Sequence, residues 1–279
     1  MASNSKIRAT GHGEAGINFI LAGDDMLFSA LIWFFWLVSS HPQVEKEIVK
    51  EIEEKDDDDL NEMVYTHASI CESMRLYPPV PLELKQVTED DVWPDGTKLK
   101  KGMTIFLHVL AMGRSTELWG SDCEVFRPER WLLKNSTTGN WNFIPRYPFT
   151  YPVFQAGPRT CLGKEIAFMQ IKLVAATILK RFRIVPLDGF SPIYNSSLTS
   201  KMKTGFPMAR KGQVNNDPTS SRGREKGRKG KMRSKCVWED RYSAKVAASF
   251  YHKARKILMD VFSDVRKKNK RPGWLLENL

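Results

Sequence analysis

The sequence has few cysteines and no long uninterrupted apolar run. Its 279 residues include four cysteines, which show neither the CxxC nor the HxxxH spacing of zinc sites. This pattern argues against a zinc site and a dense disulfide framework, and it indicates reduced, intracellular thiols. The longest apolar run covers residues 26–38, whereas a helix needs about 20 apolar residues to cross a bilayer. The run therefore predicts a buried core helix.

Excess positive charge is missing from most of the chain. The net charge is +11, yet residues 1–210 hold 24 Lys and Arg against 25 Asp and Glu. Residues 211–279 hold 19 basic and 7 acidic side chains. The basic character therefore belongs to the C-terminal segment alone, and the rest of the chain is not predicted to bind polyanions.

The composition predicts one globular region between two less ordered ends. The start, MASNSKIRATGHGEAG, is polar and lacks the apolar stretch of a secretory signal. We expect residues 1–15 to be disordered and residues 16–210 to form the globular region. Residues 211–279 are Gly/Ser-rich and basic at first and are predicted to be a largely disordered tail, with a basic amphipathic helix near 239–268.

The spacing of apolar residues predicts a mainly α fold with small β elements. Long helices are predicted at residues 16–39, 60–79 and 162–182, the first two ending at prolines. A charged amphipathic helix follows the first of them. The sequence around the turn PDG, residues 94–96, predicts a short hairpin, residues 121–160 are expected to be loop, and short strands follow to about residue 209.

Three short motifs carry candidate chemistry. FQAGPRTCLG, residues 154–163, places Cys161 among glycines just before a helix, where a thiol can serve packing, a disulfide or a ligand site. Glu72 and Arg75 share one face of a helix and can pair, although the alternative is a surface ion pair worth less than about 1 kcal/mol. FRPERW adds Arg130, whose planar fork can bridge a carboxylate and carbonyls, or which is an ordinary loop arginine.

In this order the motifs resemble those of the cytochromes P450, the haem-thiolate monooxygenases. The cysteine loop matches the family pattern FxxGxRxCxG at Phe154, Gly157, Arg159, Cys161 and Gly163. The resemblance covers about residues 16–209. It implies the C-terminal half of a cytochrome P450 fold, with haem b (iron protoporphyrin IX) as cofactor, and it leaves the tail outside the family.

The resemblance implies a role for each residue of the cysteine loop. Cys161 is expected to be the axial thiolate ligand of the haem iron, favoured as an anion by the N-terminus of the following helix. Arg159 is expected to pair with a haem propionate, and Phe154 to shield the sulfur. Gly157 and Gly163 let the chain pass close to the porphyrin. The alternative for Cys161 is a buried structural cysteine.

The resemblance also implies a structural triad. Glu72, Arg75 and Arg130 match the glutamate and arginines that lie buried behind the haem in the family. Their implied role is to fix the loop that carries Cys161.

The segment FILAGDD resembles the oxygen-activating helix of the family. Ala22 and Gly23 match the bend over the haem, and Asp25 matches the acidic position used in proton delivery. Met26 departs from the pattern, because the family usually has threonine there, and a hydroxyl that aids proton delivery is absent. The alternative for the acidic pair is a polar patch that interrupts the helix.

Longer matches, such as YPVFQAGPRTCLGKEIA and MRLYPPVP, resemble the plant enzymes that hydroxylate fatty acids near the ω end. The implied partners are NADPH–cytochrome P450 reductase, O₂ and a fatty-acid-like substrate, at the endoplasmic reticulum membrane. The chain starts near the oxygen-activating helix. We therefore expect a truncated form without an anchor, at the cytosolic face or in the cytoplasm, that does not turn over by itself.

Two alternatives to an active enzyme remain. One is an inactive remnant that retains the motifs without the substrate pocket. The other is a nucleic-acid-binding protein that uses the basic tail and carries the rest of the chain as a passenger.

Overall fold

Six helices form the framework of a computed structural model that describes residues 25–55, 60–137 and 139–212. They are α1 (Asp25–Ser40, its described part), α2 (Pro42–Glu54), α3 (Val64–Leu76), α4 (Val109–Met112), α5 (Thr116–Trp119) and α6 (Lys164–Leu179). Short 3-10 turns occupy Leu60–Glu62, Pro128–Trp131, Pro152–Phe154 and Gly157–Arg159.

Ten short strands pair into five antiparallel ribbons in the described part of the chain. The pairs are β1 (Glu83–Gln86) with β4 (Thr104–Leu107), β2 (Asp91–Val92) with β3 (Lys98–Leu99), β5 (Leu132–Lys134) with β6 (Trp141–Phe143), β7 (Phe182–Pro186) with β10 (Met208–Gly212), and β8 (Tyr194–Ser196) with β9 (Ser200–Met202). The expected fold class, mainly α with small β elements, is confirmed.

Prolines set the ends of the first and third helices. Pro42 occupies the first turn of α2, and the chain bends by 110° between α1 and α2. Within the described residues, no single helix has both the length and the apolar character of a membrane span. Only α1 and α2 taken together meet that test, by length and composition alone.

The core lies where α3 meets α1, α2 and α6. Residues 65, 66 and 68–76 of α3 are buried, because neighbouring elements cover almost every face of this helix. Trp33 of α1 is 1% exposed and stacks on Tyr77 with a ring-centroid distance of 3.8 Å. These contacts anchor α1, as its apolar run predicts, and they hold α3 as the central support of the fold.

Two of the described helices, α3 and α6, are shorter than the sequence predicts. Where a helix was predicted over 60–79, the structure has a 3-10 turn, then α3, which ends before the prolines at 78 and 79. The helix predicted from residue 162 begins at Lys164, because Leu162 and Gly163 belong to a turn in which the Lys164 amide donates to the Cys161 carbonyl. It ends at Leu179, because the chain enters β7 at residue 182.

Other predictions concern the loop region and the ends of the chain. The predicted loop over 121–160 contains three 3-10 turns and the β5–β6 ribbon. Strand β10 continues two residues past the expected boundary at 210. The predictions for residues 1–15, 16–24 and 213–279, including the disordered tail, lie outside the described residues.

Candidate functional site

The loop that carries Cys161 is closed by backbone hydrogen bonds. The Cys161 amide donates to the carbonyl of Phe154 at 2.8 Å, and the Thr160 amide donates to the carbonyl of Gly157 at 3.1 Å. Helix α6 begins three residues after the cysteine. Cys161 is exposed and is not part of a disulfide. The fold therefore presents this thiol at the surface, beside a helix N-terminus, and does not pack it in the core.

Unusual backbone conformations shape the same loop. Gly157 has φ +71°, and nothing lies within 4 Å of the position that a Cβ would take, so the glycine is required by conformation and not by space. Gln155 has φ 64°. The Phe154 ring packs against Phe168 of α6 at a centroid distance of 5.2 Å, which ties the start of the loop to the helix that follows it.

A lysine on β1 also contacts the loop, although the sequence analysis did not single it out. Lys85 Nζ donates to the side-chain oxygen of Gln155 at 2.6 Å and lies 3.5 Å from a carboxylate oxygen of Glu83. Burial raises the pKa of Glu83, and the neighbouring Lys85 acts against that rise. Lys85 thus adds a cation next to the loop that already contains Arg159.

The structure brings Glu72, Arg75 and Arg130 together in a buried cluster. Arg75 binds both oxygens of Glu72 with a planar fork, at 2.8 Å from Nε and 2.7 Å from Nη2. Arg130 Nε donates to Glu72 Oε1 at 3.2 Å. Glu72 is 0% exposed, so the surface ion pair considered from the sequence does not apply.

Two further donors form hydrogen bonds to the carboxylate of Glu72. The indole nitrogen of Trp131 donates to Oε2 at 2.8 Å, and the backbone amide of Arg127 donates to Oε1 at 3.1 Å. Both belong to the FRPERW segment, in which the sequence predicts a role for Arg130 only. The buried charge is therefore matched by two guanidinium groups and two neutral donors.

The two arginines also bind the backbone of the connecting loops. Arg75 donates to the carbonyls of Gly113, Cys123 and Val125, and Arg130 donates to the carbonyls of Trp119 and Asp122. The Asp122 carboxylate accepts a further bond from Arg130 at 3.0 Å, and this hydrogen bond lowers the pKa of Asp122. The cluster thus holds α3, the end of α4 and the region around the Pro128–Trp131 turn in one arrangement.

A tyrosine connects this cluster to the cysteine loop. Tyr151 donates its hydroxyl to the carbonyl of Cys71 on α3 at 2.9 Å, and its ring meets that of Trp131 at 4.7 Å. Burial raises the pKa of Tyr151, which keeps the hydroxyl protonated as a donor. Since Tyr151 directly precedes the Pro152–Phe154 turn, the backbone leading to Cys161 is anchored on the same helix that carries Glu72 and Arg75.

The predicted residues of the acidic helix segment are only partly described. Asp25 is the first residue of the described part of α1, whereas Ala22 and Gly23 lie outside the described residues. The Asp25 carboxylate contacts Thr199 and Lys201 of the β8–β9 ribbon.

The described side chains do not form a metal site of their own. Across residues 25–55, 60–137 and 139–212, no group of three or more His, Cys, Asp or Glu side chains is placed to hold a metal ion. An exposed thiol in this setting can supply one ligand to a metal that already has its other ligands.

The comparisons with known proteins agree on one family. The family model described as Cytochrome P450 matches residues 8–207. The chain is 50% identical over 216 residues to Cytochrome P450 94A2 of Vicia sativa, with 73% of this chain and 42% of that protein covered. Cytochrome P450 94A1 of the same plant is also 50% identical over 216 residues, with the same coverage. Cytochrome P450 94B1 of Arabidopsis thaliana is 41% identical over 215 residues, again with 73% and 42% covered. The chain therefore spans less than half the length of these relatives.

Proposed function

Because this chain belongs to the cytochrome P450 family, we propose that it supplies the haem-thiolate part of a monooxygenase, with Cys161 as the ligand to iron. Members of the family carry haem b, which, when bound, supplies the chemistry that inserts one oxygen atom of O₂ into a substrate C–H bond. The observation that carries the proposal is the exposed thiol of Cys161 in a loop closed onto Phe154 and followed by α6.

The donor set of the chain fits this cofactor. A haem would take a ligand to its iron from the protein, and a thiolate ligand would favour the activation of oxygen. Among the described cysteines, Cys161 is the exposed one, and its place next to the N-terminus of α6 meets that need. A helix N-terminus favours a negative charge at the sulfur.

Two cations and one ring would orient the cofactor. Arg159 lies in the loop of the thiol and Lys85 binds Gln155 of the same loop, and their charges suit the propionates of haem. Phe154, packed on Phe168, would hold the loop and limit the access of water to the sulfur. Gly157, with φ +71°, lets the backbone turn at this point, whereas Gly163 has φ −85°, which any residue can adopt.

The Glu72 cluster would keep the thiol in place without touching the cofactor. Arg75 and Arg130 fix the connecting loops, and Tyr151 ties the last of them to α3. A ligand held by such buried hydrogen bonds keeps its geometry when the cofactor binds.

The substrate, electron donor and location are part of the proposal. The relatives named Cytochrome P450 94A2 and 94B1 support the plant branch that oxidises fatty acids, so we infer a fatty-acid-like substrate and electrons from NADPH–cytochrome P450 reductase. The inferred location is the endoplasmic reticulum membrane. On the oxygen side, Asp25 is assigned to proton delivery, with Ala22 and Gly23 at the bend of the same helix.

The absorption spectrum of the reduced carbon monoxide complex tests the ligand. The full chain, reconstituted with haem, should show the thiolate band, and Cys161→Ser should lose it. Cys236→Ser, which removes a thiol from outside the matched region, is the control and should leave the band intact. A thiolate band that persists in Cys161→Ser would overturn the assignment.

A further inference from the structure

The carboxylate of Asp25 is held by two side chains of the β8–β9 ribbon. Thr199 Oγ1 donates to Asp25 Oδ2 at 2.8 Å, and Lys201 Nζ lies 3.1 Å from Oδ1. Thr199 is 2% exposed, whereas the side chains of Asp25 and Lys201 are 48% and 50% exposed. Each oxygen of the carboxylate thus has its own partner, and the hydroxyl partner is the buried one.

The ribbon is fixed on α1 independently of Asp25. The carbonyl of Ser200 accepts hydrogen bonds from Ser29 Oγ at 2.5 Å and from Trp33 Nε1 at 3.0 Å. The amide of Ser200 donates to the carbonyl of Pro79 at 2.9 Å, and its hydroxyl donates to the carbonyl of Pro78 at 2.5 Å. Ser200 is 0% exposed, so four buried hydrogen bonds set the position of the ribbon.

Thr199 is held more firmly than the side chain of Asp25, so Thr199 positions Asp25 and not the reverse. Thr199 precedes a residue with four buried hydrogen bonds, whereas the Asp25 side chain is half exposed. We propose that Thr199 and Lys201 are positioning residues for the Asp25 carboxylate, and that Thr199 gives it the hydroxyl partner that Met26 does not provide. The inference rests on the proposed function, which assigns proton delivery to Asp25.

The contact has a chemical consequence for Asp25. The hydrogen bond from Thr199 lowers the pKa of Asp25 and outweighs the opposing effect of burial, while the hydrogen bond and charge of Lys201 lower it further. Lys201 is the charged side chain that the described structure places against this carboxylate. Contacts at both oxygens fix the orientation of the carboxylate, and proton transfer between positioned groups requires such a fixed orientation.

The experiment measures the titration of Asp25 in the full chain, without relying on turnover. Asp25 is observed by carboxyl ¹³C NMR in protein labelled at aspartate, with Asp25→Asn used to assign its signal. The Thr199→Val variant keeps the side-chain shape and removes the hydroxyl, Thr199→Ser restores a hydroxyl, and Lys201→Met removes the charge. Hydrogen exchange of the β9 amides is followed in the same samples.

We expect the titration midpoint of Asp25 to move to higher pH in Thr199→Val and in Lys201→Met, and to return toward wild type in Thr199→Ser. Exchange of the β9 amides should stay unchanged, since Ser200 holds the ribbon. Equal midpoints in wild type and Thr199→Val would overturn the inference. Faster β9 exchange in Thr199→Val would overturn it too, because the ribbon would then depend on Asp25.

The role in proton delivery has its own readout. In the haem-loaded protein with its reductase, Thr199→Val should release more hydrogen peroxide per NADPH consumed than Thr199→Ser. Equal ratios would overturn the proton-delivery role even if the titration shift is present. The carbon monoxide band tests the proposed function separately, because it depends on Cys161 and not on Thr199.

Discussion

Glu72 and Cys161 differ in solvent exposure and in how the protein holds them. Glu72 is fully buried, and four donors of the same chain bind its carboxylate. Cys161 is exposed, in a loop closed through backbone atoms. The carboxylate of Glu72 is bound entirely by groups of the protein, so it contributes to the stability of the fold. The thiol of Cys161 is held at a defined place on the surface, so it can bind a group from outside the chain. Substitutions at the two sites should therefore separate stability from cofactor binding.

The largest expected effect comes from removing the buried charge. The Glu72→Ala substitution leaves Arg75 and Arg130 buried without their anion, which costs about 3–5 kcal/mol of unfolding free energy. This loss is a large part of the stability of a typical domain. Urea denaturation of the purified chain, followed by circular dichroism, measures it.

Two variants serve as controls for Glu72→Ala. Glu62→Ala removes an exposed glutamate whose carboxylate lies 3.7 Å from Lys55, so it should cost less than about 1 kcal/mol. Trp131→Phe keeps a ring and removes one donor from Glu72, so its cost should be intermediate, about 1.5–3 kcal/mol. Similar losses in Glu72→Ala and Glu62→Ala would contradict the contrast between buried and exposed pairs.

A smaller loss is expected at the place where the backbone passes closest to the cluster. A Cβ on Gly113 would lie 2.0 Å from the carbonyl oxygen of Arg75, so Gly113→Ala must shift the backbone. We expect a loss of about 1–3 kcal/mol, measured by thermal unfolding. Ala111→Ser, at an exposed position of the same short helix, should leave the melting temperature unchanged. A normal melting temperature for Gly113→Ala would show that α4 is not held against α3.

The third prediction concerns acid stability. His67 lies between the rings of Phe143 and Phe168, at 4.5 and 4.2 Å, and burial, together with Lys172 and Lys164, lowers its pKa from 6.5 to about 3. Below pH 6.5, His67 therefore binds a proton in the unfolded chain but stays neutral in the folded chain until the pH approaches 3. The contribution of neutral His67 to the free energy of unfolding is fully present above pH 6.5. The free energy of unfolding should fall by up to about 1.4 kcal/mol per pH unit as the pH drops from 6.5 toward 3.

The His67→Leu variant isolates this contribution. It should flatten the dependence of unfolding free energy on pH between 6.5 and 4, whereas His108→Asn, at an exposed histidine, should keep the wild-type slope. An unchanged slope in His67→Leu would assign the acid sensitivity to other groups.

The smallest effect on stability is expected at Cys161. Because the thiol is exposed, Cys161→Ser should change the unfolding free energy by no more than about 0.5 kcal/mol, while it abolishes the thiolate spectrum. Cys71→Ser buries a hydroxyl at a site only 2% exposed and should destabilise the chain measurably. Equal losses from both variants would show that Cys161 packs as a core residue.

The sequence predicted the features that depend on residues close together in the chain. The FxxGxRxCxG pattern located the cysteine loop, and the spacing of Glu72 and Arg75 on one helix predicted their pairing. The donors that complete the cluster, such as Trp131, and the residue that ties it to the loop, Tyr151, were missed. Trp131 lies in the FRPERW motif, but its hydrogen bond to Glu72 depends on how this loop folds back over α3. The periodicity of apolar residues does not indicate how a loop folds back.

Long-range contacts explain the other misses. Thr199 meets Asp25 across 174 positions, and no local pattern joins the two. Lys85 reaches Gln155 because the β1–β4 ribbon packs beside the cysteine loop. The helix ends were overestimated for a related reason, since strand pairing near residue 182 overrode a continuing apolar pattern.

The hydrogen bonds at Ser200 also affect the order in which this protein is made. Ser29 and Trp33 bind a carbonyl that lies 171 and 167 positions later in the chain. At a synthesis rate of about 5–20 residues per second, α1 leaves the ribosome roughly 10–30 s before its partner exists. During that interval the apolar surface around Trp33 lacks this cover. We therefore expect newly made chains to depend on chaperones until residue 200 has emerged, and nascent chains arrested before that point to be the most prone to aggregate.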